Sequence, residues 1–227
     1  MQRYSGHMCN RYRPADKTAI DAQWQLKPGP LFPPWKEGIG PWGQGPFIRL
    51  NEARTPELVV GQWALAGDDD PRPNMAPRMT NNMRWESIKQ RKPTFLGPWE
   101  RRQRCVIPAF TYDEPYYAEI DGKSIWWPFR RKDGQPWHLA GVWNRWKDKV
   151  SGELTETYTM VTVNCDQHPL LSRFHKFDPK LPTHKQDKRT VVPLEIDDLP
   201  IWLGGTNEEA AALLKLPAVE IYDGAPA

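Results

Sequence analysis

Twelve tryptophans and twenty-four prolines in 227 residues constrain this chain more than any single motif. Prolines at that density interrupt long helices, because each lacks a backbone donor and its ring clashes with the preceding turn. The tryptophans are flat apolar faces that need a core, and a chain of this length fits one domain able to supply it. The remaining pattern is one of short β-type runs. Residues 47–50, 58–65, 104–109, 116–120, 124–130, 137–146, 155–163, 191–196 and 218–222 read as strands. Two of them, 137–146 and 155–163, alternate apolar and polar positions as half-buried strands do. Helices are expected at 85–90, at 197–203, and at 210–216, where Thr206-Asn207-Glu208-Glu209 forms a capping-box pattern. Residues 13–46 interleave Pro, Gly and Trp and read as an ordered but irregular loop. Residues 68–70 and the prolines after them read as an exposed loop. The expected class is α+β: a single β-rich domain over residues 8–227, with curled, barrel-like sheets and few short helices.

Charged residues make up 26% and the net charge is +3, a balance that neither demands nor opposes a nucleic-acid partner. No apolar run approaches the ~20 residues of a helical membrane span, and no signal peptide is visible. Three scattered cysteines argue against a disulfide framework and for a reducing, cytoplasmic setting, nucleoid-associated in a bacterium. Residues 1–7 carry no periodic pattern and read as an expression remnant, an over-called start or a pro-segment.

Directly after them comes Met8-Cys9-Asn10-Arg11-Tyr12. If translation starts at Met8, removal of that methionine leaves Cys9 first. An N-terminal cysteine carries an amine with a pKa near ~8 and a thiol near ~8.5, each partly nucleophilic at neutral pH. Together they trap an aldehyde: the amine forms a Schiff base and the thiol closes on the same carbon to give a thiazolidine. The alternative is an internal Cys9 that serves as a small buried hydrophobe.

Three further segments hold chemically useful polar groups. In Asn82-Met83-Arg84-Trp85-Glu86 an amide, a guanidinium and a carboxylate occupy alternate positions and share one face if the stretch is extended. The strand of residues 104–109 runs on into Thr111-Tyr112-Asp113-Glu114, placing carboxylates just past an apolar run. Such a group suits acid–base work if its surroundings raise its pKa, and is otherwise a surface residue. Thr162-Val163-Asn164-Cys165-Asp166 is followed by His168 and His175; a histidine can move protons at neutral pH, although a lone one in a loop is usually structural.

Taken in order, Met8-Cys9, Trp63-Ala64-Leu65, Asn82-x-Arg84-x-Glu86, Arg104-Cys105-Val106-Ile107-Pro108-Ala109 with Glu114, Ala140-Gly141-Val142-Trp143, and Thr162 with His175 resemble the SOS response-associated peptidase (SRAP) family. The resemblance runs from Met8 to about Leu203. It implies a protein that binds single-stranded DNA and captures abasic sites covalently through the N-terminal cysteine. On that basis Cys9 is the nucleophile, Asn82 orients it or the sugar, and Arg84 holds a phosphate beside the lesion. Glu114 is the acid–base carboxylate, and His175 assists sugar ring opening or crosslink reversal. Arg11 joins Arg84 as a basic contact, with Arg13, Lys89 and Arg91 as further candidates, while Trp63 and Trp85 are candidates for stacking against bases. No cofactor, metal, membrane or obligate protein partner is implied.

The chain departs from the family pattern at Asn10, where glycine is usual, and at Pro115, where an aromatic is common. An insertion containing His184 also separates His175 from Lys188-Arg189-Thr190. His184 and His168 therefore stand behind His175 as second and third choices. Rival readings are a cysteine-dependent peptidase cleaving ahead of Cys9, a metal site from Cys165, His168, His175 and His184 whose spacing fits no common zinc pattern, and a non-catalytic DNA-binding module.

Overall fold

The pairings of the chain converge on β5 (Arg104–Tyr116) in the computed structural model, which describes residues 9–26, 34–70, 79–119 and 122–226. Residues 1–7, Met8 and the prolines after Asp70 lie outside the described residues. β5 pairs with β1 (Arg11–Pro14), β2 (Gln44–Leu50), β6 (Ile125–Phe129) and β7 (Trp137–Lys147). β3 (Pro56–Trp63) and β8 (Leu154–Asn164) complete a ring, β5–β2–β3–β8–β7 and back to β5, so the sheet closes as a five-stranded barrel. Its joints are antiparallel except β3–β8, where Gln62 and Trp63 run parallel to Thr157 and Tyr158. The far end of β8 is flanked by β4 (Asn82–Arg84), parallel to Met160–Thr162, and by β9 (Arg189–Val191), antiparallel to Thr162–Asn164. The two-residue β10 (Pro193–Leu194) pairs with β7.

Alternation along the strands sorts side chains into two cores. From β5, Cys105, Ile107 and Ala109 fill the barrel together with Phe47, Trp63, Tyr158 and Met160. The intervening Val106 faces outward, joining Ala140, Val142 and Val161 under the helices. There Phe95 and Trp99 of α3 (Pro93–Glu100) and Trp202 of α4 (Leu199–Gly204) cover the outer face. Close strand approach fixes Gly141: a Cβ there would lie 2.7 Å from Ile107 Cδ1, 2.8 Å from Cys105 Sγ and 2.9 Å from the Thr159 carbonyl. The α+β reading, the barrel-like sheet and the short helices are all present. α5 (Asn207–Ala212) carries the full capping box, with Thr206 accepting from the Glu209 amide while Glu209 accepts in return.

Three local expectations are corrected, and one helix was not anticipated. Residues 13–46 are not uniformly irregular: α1 (Lys17–Trp24) lies within them, its first turn capped by the Asp16 side chain. Its apolar face reduces to one buried residue, Ile20, so periodicity gives little signal. The unanticipated helix is α3, with Pro93 at its start, where a missing donor is harmless, and Pro98 inside it. No separate strand follows β5: Tyr116 ends it, and residues 117–119 form none. Finally, residues 218–222 contain a 3-10 turn, Val219–Ile221, rather than a strand; Tyr222 makes one isolated bridge to Arg131 and buries its ring between Phe129 and Trp137.

Candidate active site

Four segments distant in sequence meet at one end of β8. β1 brings in the first: Arg11 and Tyr12 pair with Asp113 and Tyr112, a register that carries Cys9 toward Glu114 and Pro115. β4 brings in the second. Alternate positions on this short strand point to opposite sides, so Met83 packs in the outer core while Asn82 and Arg84 share the other face. The Asn82 side-chain amide donates to the Cys9 carbonyl at 2.5 Å, and the neighbouring Asn81 donates to the same oxygen at 3.3 Å. Asn81 also donates to the Asn10 side chain at 3.3 Å. The backbone of Cys9 is thus gripped by two buried amides. Its thiol donates to the Arg11 carbonyl at 3.4 Å.

The third and fourth segments supply a carboxylate and an imidazole. Glu114 is 1% exposed, and its Oε2 lies 3.3 Å from His175 Nε2. Nε2 also lies 3.0 Å from the Arg189 carbonyl, which only accepts, so that nitrogen carries the proton and donates it to Arg189. The His175 backbone is left-handed, φ 64°, and is pinned on both sides: its amide donates to Pro115 at 2.7 Å and its carbonyl accepts from the buried Lys188 ammonium at 2.7 Å. Burial raises the Glu114 pKa, with the Asp113 charge adding to it. Neither Glu114 oxygen accepts a hydrogen bond among the described residues, so nothing offsets that desolvation. Burial also raises the Cys9 pKa, with Glu114 the next cause, which places the carboxylate within electrostatic reach of the sulfur. The resting pair is a neutral thiol beside a carboxyl pushed toward its neutral form.

Positive groups rim this centre. Arg11 is largely exposed and pairs with Asp113 at 3.3 Å. Arg84 pairs with Asp187 at 2.7 Å, and Arg189 bridges Asp187 at 2.5 Å and Glu86 at 2.6 Å. A cleft of about 270 Å³ opens beside His175, lined by Tyr117, Asp166, Ser172, Arg173 and Lys188. A larger, mostly apolar cavity of about 440 Å³ lies between α1 and α4 and is lined by none of these residues.

The structure therefore assembles Cys9, Asn82, Glu114 and His175, with Arg84 and Arg11 at the rim. Two expectations change. Trp63 is fully buried in the barrel, edge-on to Tyr12 with centroids 5.0 Å apart, and offers no face for stacking on a base. Trp85 is half-buried against Trp99, with centroids 4.9 Å apart, and keeps part of its surface open. The three histidines separate cleanly. His184 sits exposed on a 3-10 turn. His168 is buried and fully engaged, its Nε2 donating to the Pro217 carbonyl while Nδ1 accepts from the Leu170 and Leu171 amides. With Cys165 and His175 these two do not form a metal-binding cluster among the described residues. Asn81 and Asp187 were missed by sequence reading. The Asn81-Asn82 doublet was visible, but a second amide on the same carbonyl is not; Asp187 lies far along the chain from Arg84.

A small β-barrel whose buried carboxyl and imidazole are set against a gripped cysteine defines a cysteine-centred site on a single domain. The chain belongs to the SOS response associated peptidase (SRAP) family, whose profile matches residues 8–223. Among solved structures it is similar to a Bordetella bronchiseptica protein, with a TM-score of 0.82 and 26% identity over 96% of this chain and 98% of that one. A Bacteroides thetaiotaomicron protein matches with a TM-score of 0.74 and 22% identity, covering 95% and 90% of the two chains. A phage-related protein from Bordetella bronchiseptica matches with a TM-score of 0.62 and 16% identity, covering 92% and 90%. No curated protein sequence matches the chain significantly. No helix among the described residues is long and apolar enough to cross a membrane.

Proposed function

We propose that this protein binds single-stranded DNA and captures abasic sites covalently through Cys9, once the residues up to Met8 have been removed. One observation carries the reading: a carboxyl that is 1% exposed and lacks a hydrogen-bond donor among the described residues stands 3.3 Å from an imidazole nitrogen, on the strand whose register brings Cys9 alongside it. An acid kept neutral at such a place can give a proton and later take one back. The Cys9 amine attacks the aldehyde of the ring-opened sugar to give a carbinolamine. Glu114 protonates its hydroxyl, which leaves as water and generates the iminium. The thiol adds to the iminium carbon, and its proton returns to the Glu114 carboxylate. One C–N and one C–S bond form, one water is lost, and nothing is oxidised or reduced.

The remaining residues position the reactants. Asn82 and Asn81 fix the Cys9 carbonyl, which orients amine and thiol on the adjacent carbons. Arg84 and Arg11 attract the phosphates flanking the lesion without reading sequence. His175 assists ring opening or reversal from its place 3.3 Å from the Glu114 carboxyl. The peptidase reading finds less support: a thiolate–imidazole pair needs the ring on the sulfur, whereas His175 Nε2 is directed at Glu114 and Arg189.

The test is a denaturing gel of protein beginning at Cys9, incubated with labelled single-stranded DNA carrying one abasic site. A slow-migrating band is expected, absent with the intact strand and absent with Cys9→Ala. A band of equal strength from Cys9→Ala overturns the assignment of the nucleophile.

A further inference from the structure

The guanidinium expected to hold a phosphate already holds an anion. Arg84 Nη1 lies 2.7 Å from Asp187 Oδ2, and Arg189 reaches the other oxygen of the same carboxylate through Nε at 2.8 Å and Nη2 at 2.5 Å. Two planar cations thus share one carboxylate across its two oxygens, the charge-assisted geometry that guanidinium groups also make with phosphate. The partners are unequal. Arg189 is buried and keeps a second carboxylate, Glu86, at 2.6 Å. Arg84 is 32% exposed in its side chain and, among the described residues, has only Asp187 as an acidic partner.

The backbone beneath Asp187 is built to hold it there. Its φ is 57°, in the left-handed region that non-glycine residues rarely adopt. The Asp166 carboxylate secures the turn, accepting from the Asp187 amide at 3.1 Å and the Lys188 amide at 2.7 Å. The Asp187 side chain is itself 43% exposed, so it can rotate into solvent while the turn stays fixed.

We propose that Asp187 is a specificity-determining residue: a resident anion on Arg84 that a DNA phosphate must displace. This rests on the reading of Arg84 as a phosphate contact given above. The consequence is selective. Every phosphate of an intact strand that docks on Arg84 exchanges one anion for another, so this contact adds little to non-specific affinity. Only a strand whose aldehyde reacts with Cys9 is retained. Without the carboxylate, Arg84 would attract any single strand and the preference for damaged DNA would fall.

The experiment compares protein beginning at Cys9 with its Asp187→Asn and Asp187→Gly variants. Asparagine and glycine are the residues most at ease in a left-handed turn, and thermal melting of each confirms folding. The probes are a labelled intact single-stranded oligonucleotide and the same strand with one abasic site. Both variants are expected to bind the intact strand about fivefold tighter, the scale of one released surface ion pair. Their plot of log affinity against log salt should be steeper by about 0.7, one more phosphate neutralised on a single strand. If the wild-type chain captures abasic DNA and both variants bind the intact strand no more tightly, the resident-anion role is wrong while the proposed function stands. If the wild-type chain captures nothing and neither variant binds the intact strand, both fall together.

Discussion

Glu114→Gln should slow crosslinking and at the same time stabilise the fold, in a manner that depends on pH. The carboxyl is 1% exposed, both of its oxygens lack a hydrogen-bond donor among the described residues, and burial raises its pKa. The folded chain therefore holds a proton that the unfolded chain releases above its ordinary value of 4.5. Stability from this group is fully present below that value. It is lost as pH rises through the folded pKa, at up to ~1.4 kcal/mol per pH unit. Glutamine has no proton to lose and escapes this pH-dependent loss, although its buried amide is as short of partners as the carboxyl. The variant should accordingly melt higher at about pH 8 by some ~4–8 °C, the shift worth about 2 kcal/mol in a chain of this size. The gap should close as the pH falls toward the ordinary value of 4.5, below which the unfolded chain is protonated as well. Loss of proton transfer should lower the crosslinking rate by about 10²- to 10⁴-fold. Thermal melts across that range, beside single-turnover gel assays on abasic single-stranded DNA, read both effects. A melting difference that does not change with pH, or a variant that crosslinks at the wild-type rate, would refute the reasoning.

Two further substitutions probe the rim and the choice of histidine. In the Asp187→Asn background, where Arg84 has lost its resident anion, Arg84→Ala should weaken binding to single-stranded DNA and flatten its salt dependence by about 0.7, measured by titrations at several salt concentrations. An unchanged slope would remove Arg84 from the phosphate contacts. Among the histidines, His175→Ala should slow crosslinking, His184→Ala should leave both rate and stability alone, and His168→Ala should lower the melting temperature through loss of three hydrogen bonds, two of them buried. A rate defect confined to His184→Ala would reverse that assignment.

What the sequence disclosed follows from the range of the interactions involved. Strands β7 and β8 were readable as strands, but the half-burial read from their alternation was not what formed: residues 137–142 and 157–162 are buried on both faces, between the barrel and the outer core. α5 was readable because its capping box lies within four residues. α1 and α3 were not: Ile20 alone is buried on the first, and the prolines of the second resemble a turn until one sees that Pro93 occupies its start. Cys9, Asn82, Glu114 and His175 could be named as an ordered set, but not as neighbours, since β1 must pair with β5 and β4 with β8 before they meet. Trp63 misled because nothing local distinguishes a tryptophan inside a barrel from one at its mouth. Asp187 was silent for a related reason: an aspartate in a polar insertion looks like any other, and its meaning comes from Arg84, 103 positions away.

The central claim is that Cys9 must be the first residue to act. A thiazolidine needs a free amine and a thiol on one residue, and a peptide nitrogen cannot form a Schiff base because its lone pair is delocalised into the carbonyl. The direct measurement is mass spectrometry of two forms, the chain with Met1–Met8 attached and the chain beginning at Cys9, each incubated with abasic single-stranded DNA. The shorter form should gain the mass of the oligonucleotide less one water, with the adduct mapped to Cys9, and the longer form should gain nothing there. A stable Cys9-linked thiazolidine on a chain that verifiably retains its first eight residues would contradict the account.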